Sequence, residues 1–238
     1  MTRVVISQPM YFPWPGFVAQ MSLADVMIWL DDAIFSKGSF TNRIQVKTPT
    51  GRTWMSVPLV GKGRGVAIRD LEASDPEVRD AHRALVANTW RRALHGADAL
   101  ATFMLAWQRD APLVETLIAS AEAVATEIGL PARVTRRSSG MGIGGAGSDR
   151  VLALVQAAGG TEYITGHGAR DYLDHAAFEA AGIAVRYMDY AVRPWPQDHG
   201  AFTPYVTALD LIAHVPAVDR AAHLAPRTVD WQTFLGEP

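Results

Sequence analysis

The 238-residue sequence contains no cysteine. Disulfide bonds, a catalytic thiolate and cysteine-ligated zinc are therefore excluded, and the absence of cysteine is typical of a cytoplasmic protein. No apolar run reaches the roughly 18 residues that a membrane span requires, and the N-terminus lacks a signal-peptide pattern. We expect a cytoplasmic protein with no membrane partner.

Neither sign of charge dominates the composition, because 22 Lys and Arg residues face 24 Asp and Glu residues and the net charge is −2. Such a chain has no general electrostatic attraction to nucleic acid or to an anionic membrane, so neither is expected as a partner. Hydrophobic residues make up 49% of the sequence and charged residues 19%, as in folded globular proteins. A chain of this length can bury a sizeable core.

The turn after the first predicted strand is the most informative stretch. A β-branched run at 4–6 predicts a buried strand, and apolar residues at helical spacing after Gly16 predict a helix. The turn between them lies at the carboxyl end of the strand, where open α/β sheets bind ligands. It offers an amide, a phenol and an indole for substrate binding, from Gln8, Tyr11 and Trp14. Plugging of a core end by the aromatic rings is the alternative.

Charged groups follow next to two further predicted elements. An apolar run at 26–30 ends in two aspartates, of which we prefer Asp32 for a site at the same sheet edge, with turn capping as the alternative. A hairpin is predicted over 43–59, and its basic groups, with those of the loop before it, can hold a phosphate while its aromatic rings stack on a base or sugar. The alternative is that these charges are only solvated. The residues that carry this interpretation are Lys37, Asn42, Arg43 and Lys47.

The middle of the chain is helical in character. Residues 74–130 predict a helical insertion with His82 inside an apolar stripe. A lone histidine there is usually a core residue, and a proton-transfer or positioning role is the alternative. A glycine-rich loop at 140–147 precedes another predicted helix, and it can either bind phosphate at the helix N-terminus or be disordered.

The last third of the chain predicts a parallel sheet. Strand, helix, strand, helix and strand patterns between 133 and 187 form a βαβαβ half. A turn at the carboxyl end of one of these strands offers Gly166, Arg170 and Tyr172 for substrate binding. An irregular segment that carries Gln197 and Phe202 can fold back over the same edge.

The combined pattern predicts an α/β fold with a mainly parallel sheet and flanking helices. We expect a Rossmann-like three-layer architecture, similar to HIGH-type nucleotidylyltransferases, with a β-hairpin and a helical insertion. The expected division is an N-terminal α/β half at 1–73, the insertion at 74–130 and a C-terminal α/β half at 131–238, all within one compact domain.

These motifs resemble the WbqC-like family of bacterial proteins, which occur with surface-polysaccharide (O-antigen) biosynthesis functions. The likeness is carried by the stretches 8–17, 31–37, 40–43, 47–49, 54–59 and 195–212. The family pattern also has a histidine at the place of His82, and a glycine turn followed by a helix at the place of Arg170 and Tyr172. The resemblance implies a transferase or ligase that joins a glycyl or similar small acyl group to the amine of an amino-sugar nucleotide or a related compound.

In such a reaction the acyl donor would be a thioester on an acyl carrier protein or coenzyme A, or an adenylate made with ATP. Lys37, Arg43 and Gln8 would stabilise phosphate or oxyanion charge, and His82 or Asp32 would accept the proton of the amine. We predict no metal site. The expected partners are a small-molecule substrate, either a nucleotide sugar or an amine, and an acyl carrier protein.

Two other functions stay open. The turn at 9–16 is arranged like the start of HIGH-motif nucleotidylyltransferases and pantothenate synthetases, but it lacks both histidines of that motif, which argues against ATP-dependent adenylation. A non-catalytic scaffold that binds a nucleotide or sugar is the other alternative. For an enzyme, we expect the predicted site residues to meet around one cavity at the rim of the sheet.

Overall fold

A computed structural model describes residues 1–107 and 111–236 of the chain. Its strands are β1 (Arg3–Ser7), β2 (Val26–Trp29), β3 (Arg43–Thr48), β4 (Gly51–Ser56), β5 (Val134–Arg137), β6 (Glu162–Thr165), β7 (Ala184–Asp189) and β8 (Arg227–Asp230). Six of them form one sheet in the order β5-β2-β1-β6-β7-β8, and β3 and β4 form a separate antiparallel hairpin. Within the sheet only β8 runs antiparallel to its neighbour. The predicted α/β fold with a mainly parallel sheet is confirmed.

Helices cover both faces of this sheet. They are α1 (Pro15–Ser22), α2 (Val78–Thr89), α3 (Gly96–Ala106), α4 (Leu113–Ile128), α5 (Gly147–Ala157), α6 (His175–Ala180), α7 (Leu209–His214), α8 (Ala217–Arg220) and α9 (Trp231–Leu235). Short 3₁₀ segments lie at Val60–Gly63, Ile68–Asp70, Ser138–Gly140, His167–Ala169 and Ala221–His223. No helix within the described ranges is both long and apolar enough to cross a membrane.

Alternate residues of the central strands pack into two different hydrophobic cores. Val5 and Met27 pack on one face with α1, the helices α2 to α4, α7 and the inner side of the hairpin. Val4 and Ile6 pack on the other face with α5 and α6, where α9 adds partly buried rings. Successive side chains of a strand point to opposite faces, and a strand buried on both faces is apolar throughout. This explains why β1 and β2 read as continuous hydrophobic runs, and the result is a three-layer Rossmann-like fold.

The order of the strands reverses between β1 and β6. From β1 the chain first adds β2 and β5 on one side, and it then crosses over to add β6 and β7 on the other. Loops that leave the carboxyl ends of β1 and β6 therefore diverge and leave a crevice, which is where open α/β sheets bind ligands. This topology fixes where the candidate site lies.

Some boundaries differ from the predictions. Helix α2 begins at Val78, four residues after the predicted start of the helical insertion at residue 74, because Asp75 Oδ1 accepts the backbone N–H of Glu77 and forms a turn ahead of the helix. Helices α2, α3 and α4 lie within the predicted insertion, of which residues 108–110 are outside the described ranges. Strand β8 and helix α9 were not predicted. The division of the chain into three parts stays a prediction.

Candidate functional site

A cavity of about 620 Å³ opens at the carboxyl ends of β1, β2 and β6, at the point where the strand order reverses. Its size falls in the range of small-molecule binding sites. Four of the predicted binding residues line it, namely Gln8, Trp14, Gly166 and Tyr172. The cavity therefore joins the turn after β1 to the turn after β6, as the sequence predicted for these four.

The lining of this cavity is mostly apolar and aromatic, with a few polar groups. It includes the side chains of Gln8, Thr41 and Thr165 and the rings of Phe40 and Tyr190. Among the described residues that line it there is no Lys, Arg, Asp or Glu. A strongly charged group would lose part of its hydration there without gaining a counter-ion, so the cavity suits an uncharged part of a ligand.

At two glycines an aromatic side chain of the cavity packs directly against the backbone. An added Cβ at Gly16 would lie 2.1 Å from the indole of Trp14, and one at Gly166 would lie 2.7 Å from the hydroxyl oxygen of Tyr190. The rings of Trp14 and Tyr190 are in turn 5.0 Å apart. Burial raises the pKa of Tyr190 to about 12, so its phenol stays protonated and can donate a hydrogen bond. The glycines are thus required by side chains that approach them, not by unusual φ angles.

His167 is a cavity residue that the sequence analysis did not select. Its Nε2 lies 2.8 Å from the carbonyl oxygen of Met188. Because a carbonyl only accepts, Nε2 must carry the proton, and in the neutral ring Nδ1 then has a free lone pair. The rings of Tyr190 and Phe234 lie 5.2 Å and 4.9 Å from the imidazole and hold it in place. The available signal was its place directly after Gly166, at the carboxyl end of a strand.

A second, smaller cavity of about 440 Å³ adjoins the first, because Leu30 and Tyr172 line both. The turn at 145–147 of the glycine loop lines it together with Asp32 and Arg150. The loop is bound to α5 through Arg150, whose Nε donates to the carbonyl oxygen of Ile143 at 3.1 Å. The two cavities form a two-part cleft along the sheet edge.

Asp32 lies in this second cavity as one half of an ion pair. Arg150 Nη2 and Ser138 Oγ each donate to its carboxylate at 2.6 Å. Burial acts to raise the pKa of Asp32, but the hydrogen bonds from Ser138 and Arg150 outweigh it and lower the pKa overall. The group is therefore a stable carboxylate and a poor proton acceptor, which does not favour the predicted role as a general base.

Comparison with known proteins gives the family. The model of the WbqC-like protein family matches residues 8–221. The chain belongs to the WbqC-like protein family. It is also 31% identical over 223 residues to an uncharacterized protein of Mycobacterium tuberculosis, Rv1507c, and the match covers 91% of this chain and 95% of that relative. No solved structure gives a significant match.

In this WbqC-like chain, Tyr11 and His82 lie in the core and not in the cavity. The indole Nε1 of Trp107 donates to the Tyr11 hydroxyl oxygen at 3.0 Å, and that hydroxyl is 2.9 Å from His82 Nδ1. His82 also bonds the backbone of Ser56, and burial lowers its pKa to about 4 despite that bond. Both side chains are held inside a buried hydrogen-bonded chain, which does not favour the predicted substrate role of Tyr11 or the predicted catalytic role of His82; both roles stay predictions.

Lys47, Gln197 and Phe202 also lie outside both cavities. The ammonium group of Lys47 is buried and donates to Gln197 Oε1 at 3.2 Å and to the carbonyl oxygens of Gly200 and Ala201 at 2.8 Å. Gln197 is further bonded to the backbone of Thr203 at 3.0 Å. Phe202 packs edge-on against Trp195, with 4.8 Å between the ring centroids. Lys47 and Gln197 therefore fix the irregular segment to the hairpin, which does not favour the binding roles predicted for them; these roles stay predictions.

The remaining predicted site residues, one amide and three cations, lie around the hairpin and after β6. Asn42 Nδ2 donates to the carbonyl oxygen of Val57 at 2.7 Å and closes the hairpin base. Arg43 donates to the Gly38 carbonyl oxygen at 2.7 Å and lies over the Trp54 ring, 4.4 Å from its centroid. Lys37 and Arg170 are exposed and line neither cavity. The expectation that all predicted residues meet around one cavity is wrong, because only four of them line the larger cavity.

Residues 1–107 and 111–236 contain no group of three or more His, Asp or Glu side chains arranged to hold a metal ion.

Proposed function

We propose that this WbqC-like chain is an amide-forming transferase that attaches a glycyl or similar small acyl group to the amine of an amino sugar, free or carried on a nucleotide. The observation that carries the proposal is His167, which lines a cavity at the switch point of the sheet and keeps a free lone pair on Nδ1. An acyl transfer to an amine needs a group that takes one proton from the attacking nitrogen, and a neutral imidazole does this near pH 7.

The lining of the larger cavity supports a sugar-like acceptor. The rings of Trp14, Phe40 and Tyr190 offer flat apolar faces, and Gln8 and Thr41 offer hydrogen-bonding groups. This mixture of aromatic walls and a few polar groups is typical of small-molecule sites. In a nucleotide-linked acceptor, the phosphates would have to lie outside the uncharged lining.

The proposed reaction runs through one tetrahedral intermediate. The amine nitrogen attacks the carbonyl carbon of an acyl thioester, and a C–N bond forms while His167 Nδ1 accepts a proton from the nitrogen. The C–S bond then breaks, and His167 returns the proton to the departing thiolate, so that an amide and a free thiol are released. The Gln8 amide and the Tyr190 hydroxyl are the available donors to the oxyanion, and such donors stabilise it by about 3 kcal/mol.

An assay with a matched pair of variants tests this proposal. His167→Gln should reduce acyl transfer at least about 100-fold, since general-base catalysis contributes that much. His199→Gln is the control, because His199 is exposed and lines neither cavity. Amine acceptors and acetyl or glycyl thioesters of coenzyme A serve as substrates after a screen for ligands that raise Tm. Transfer that is equal in the two variants would reject His167 as the base.

A sugar-binding scaffold is the second candidate. It is favoured by the absence of a carboxylate among the described lining residues of the larger cavity, which leaves His167 without a second acid–base group. A wild-type protein that binds an amino sugar but acylates it with no thioester would support the scaffold.

ATP-dependent adenylation has less support from the geometry. The ring of Trp14 covers Gly16, and the backbone N–H groups of Phe17 and Val18 already donate to the Trp14 carbonyl oxygen. The N-terminus of α1 therefore does not offer these N–H groups to a phosphate.

A further inference from the structure

One segment of the chain has an unusual charge pattern. Between Ala33 and Arg69 there are seven Lys and Arg residues and no Asp or Glu, in a protein whose net charge is −2. Acidic residues resume at Asp70 and Glu72. A run of this length without an acid produces a local positive potential that the net charge conceals.

The fold brings the two loops of this segment together. The backbone N–H of Phe35 donates to the carbonyl oxygen of Val66 at 2.9 Å, and Ile34 forms a β-bridge with Ala67. The ring of Phe35 packs so close to Gly63 that a Cβ there would lie 2.7 Å from it. The loops at 33–40 and 60–67 therefore form one continuous surface beside the hairpin.

Three cations on this surface have no partner. Lys37, Lys62 and Arg64 are exposed, and within the described residues none of them makes an ion pair or a side-chain hydrogen bond. Of the other four cations, Lys47 is buried, Arg69 pairs with Asp70 at 3.5 Å, Arg43 donates to the Gly38 carbonyl oxygen and lies over Trp54, and Arg52 lies on β4 outside the two loops. The three remaining charges are free to meet an external anion.

Exposed apolar side chains lie between these charges. Ile34 is 58% exposed, Val60 52%, Phe40 43% and Trp54 43%, and the last two rings are 6.1 Å apart. Phe40 also lines the larger cavity and Ile34 the smaller one. Whatever covers this surface therefore lies at the mouth of the two-part cleft.

We propose that this surface, made of Ile34, Lys37, Phe40, Trp54, Val60, Lys62 and Arg64, docks an acidic carrier protein that delivers the acyl group as a thioester. The proposal rests on the acyl-transfer function and names the source of its donor. Charge complementarity defines the partner: free cations mixed with exposed apolar groups match a protein surface of acidic and apolar side chains.

A nucleic acid or a membrane matches this surface less well. Specific DNA binding uses about 6–10 phosphate contacts, whereas this surface offers three unpaired cations. The net charge of −2 also repels an extended polyanion. A small acidic protein needs only the local patch.

The test measures direct binding of purified holo carrier proteins from the source organism by biolayer interferometry at 25 and 300 mM NaCl. We expect at least one carrier to bind the wild-type protein at 25 mM NaCl. The triple variant Lys37→Glu/Lys62→Glu/Arg64→Glu should weaken that binding at least about tenfold, and most of the difference should disappear at 300 mM NaCl. The control is Arg91→Glu/Arg92→Glu/Arg193→Glu, which reverses three exposed charges elsewhere and should bind like the wild type.

Several outcomes would overturn the docking proposal. The first is that no carrier binds, and the second is that both triple variants weaken binding equally. The third is that the same three cations bind anionic phosphatidylglycerol vesicles or duplex DNA in place of a carrier. The two proposals fail separately. His167→Gln should bind the carrier like the wild type, so binding without transfer would reject the transferase only, and transfer from a coenzyme A thioester without carrier binding would reject the docking surface only.

Discussion

Replacing Tyr11 with Phe removes one hydroxyl from the middle of a buried hydrogen-bonded chain. The order of donors in that chain is set by its ends. The indole of Trp107 can only donate, so the Tyr11 hydroxyl accepts from it and gives its own proton to His82 Nδ1. Nε2 of His82 is then left to donate to the backbone of Ser56. The chain links the turn after β1 to α2, to the end of α3 and to the hairpin.

The size of the effect follows from the groups that Tyr11→Phe leaves unpaired. Tyr11 is fully buried and His82 is 8% exposed, so the lone pair on Nδ1 cannot be satisfied by water. An unsatisfied buried polar group costs about 1–3 kcal/mol. The indole of Trp107 is only partly buried and loses less. We expect about 3 kcal/mol of destabilisation, which in a chain of this size lowers Tm by roughly 6–12 °C.

Thermal and urea unfolding of two matched variants check this prediction. Tyr205→Phe is the control, because it deletes the same hydroxyl from a ring that is 63% exposed, and its Tm should stay within about 2 °C of the wild type. Ligands that bind the cavity should bind both folded variants with unchanged affinity. If Tyr11→Phe melts like the control but loses ligand binding, the hydroxyl contacts a ligand and the core assignment is wrong.

Two further predictions concern pH and packing. Burial lowers the pKa of His82 to about 4, from about 6.5 in the unfolded chain. The free energy of unfolding is therefore highest above pH 6.5 and declines as the pH falls toward 4. The decline is about 3 kcal/mol in all, of which about 2 kcal/mol is lost by pH 5. Urea unfolding at pH 7.5 and pH 5 should show a smaller decline for His82→Asn, and equal declines would contradict the role of burial. Gly166→Ala pushes a methyl group against the Tyr190 hydroxyl and should cost about 1–3 kcal/mol, measured by Tm. The loss should shrink in a Tyr190→Phe background, and an unchanged loss would place the strain elsewhere.

The sequence alone was sufficient for the mainly parallel α/β architecture, although not for strand β8 and helix α9. Continuous apolar runs such as 4–6 and 26–30 indicate strands buried on both faces, and helices alternating with strands at 147–187 favour parallel connections. These patterns are local, because each depends on the period of one element. The same reasoning selected Gln8, Trp14 and Gly166, since the carboxyl ends of parallel strands meet at one sheet edge.

Only the tertiary structure separated the site from the core. Tyr11 is three residues before Trp14 in the same turn, yet its ring points into the core while that of Trp14 lines the cavity. In the sequence, nothing distinguishes Lys47 from an exposed lysine of a hairpin. In the structure, its ammonium group is surrounded by residues 197–201, about 150 positions later in the chain. The tautomer of His167 is set by the hydrogen bond of its Nε2 to a backbone carbonyl oxygen on β7. Sequence periodicity fixes which face of an element is apolar, but the partners of a polar side chain depend on distant segments that the fold brings into contact.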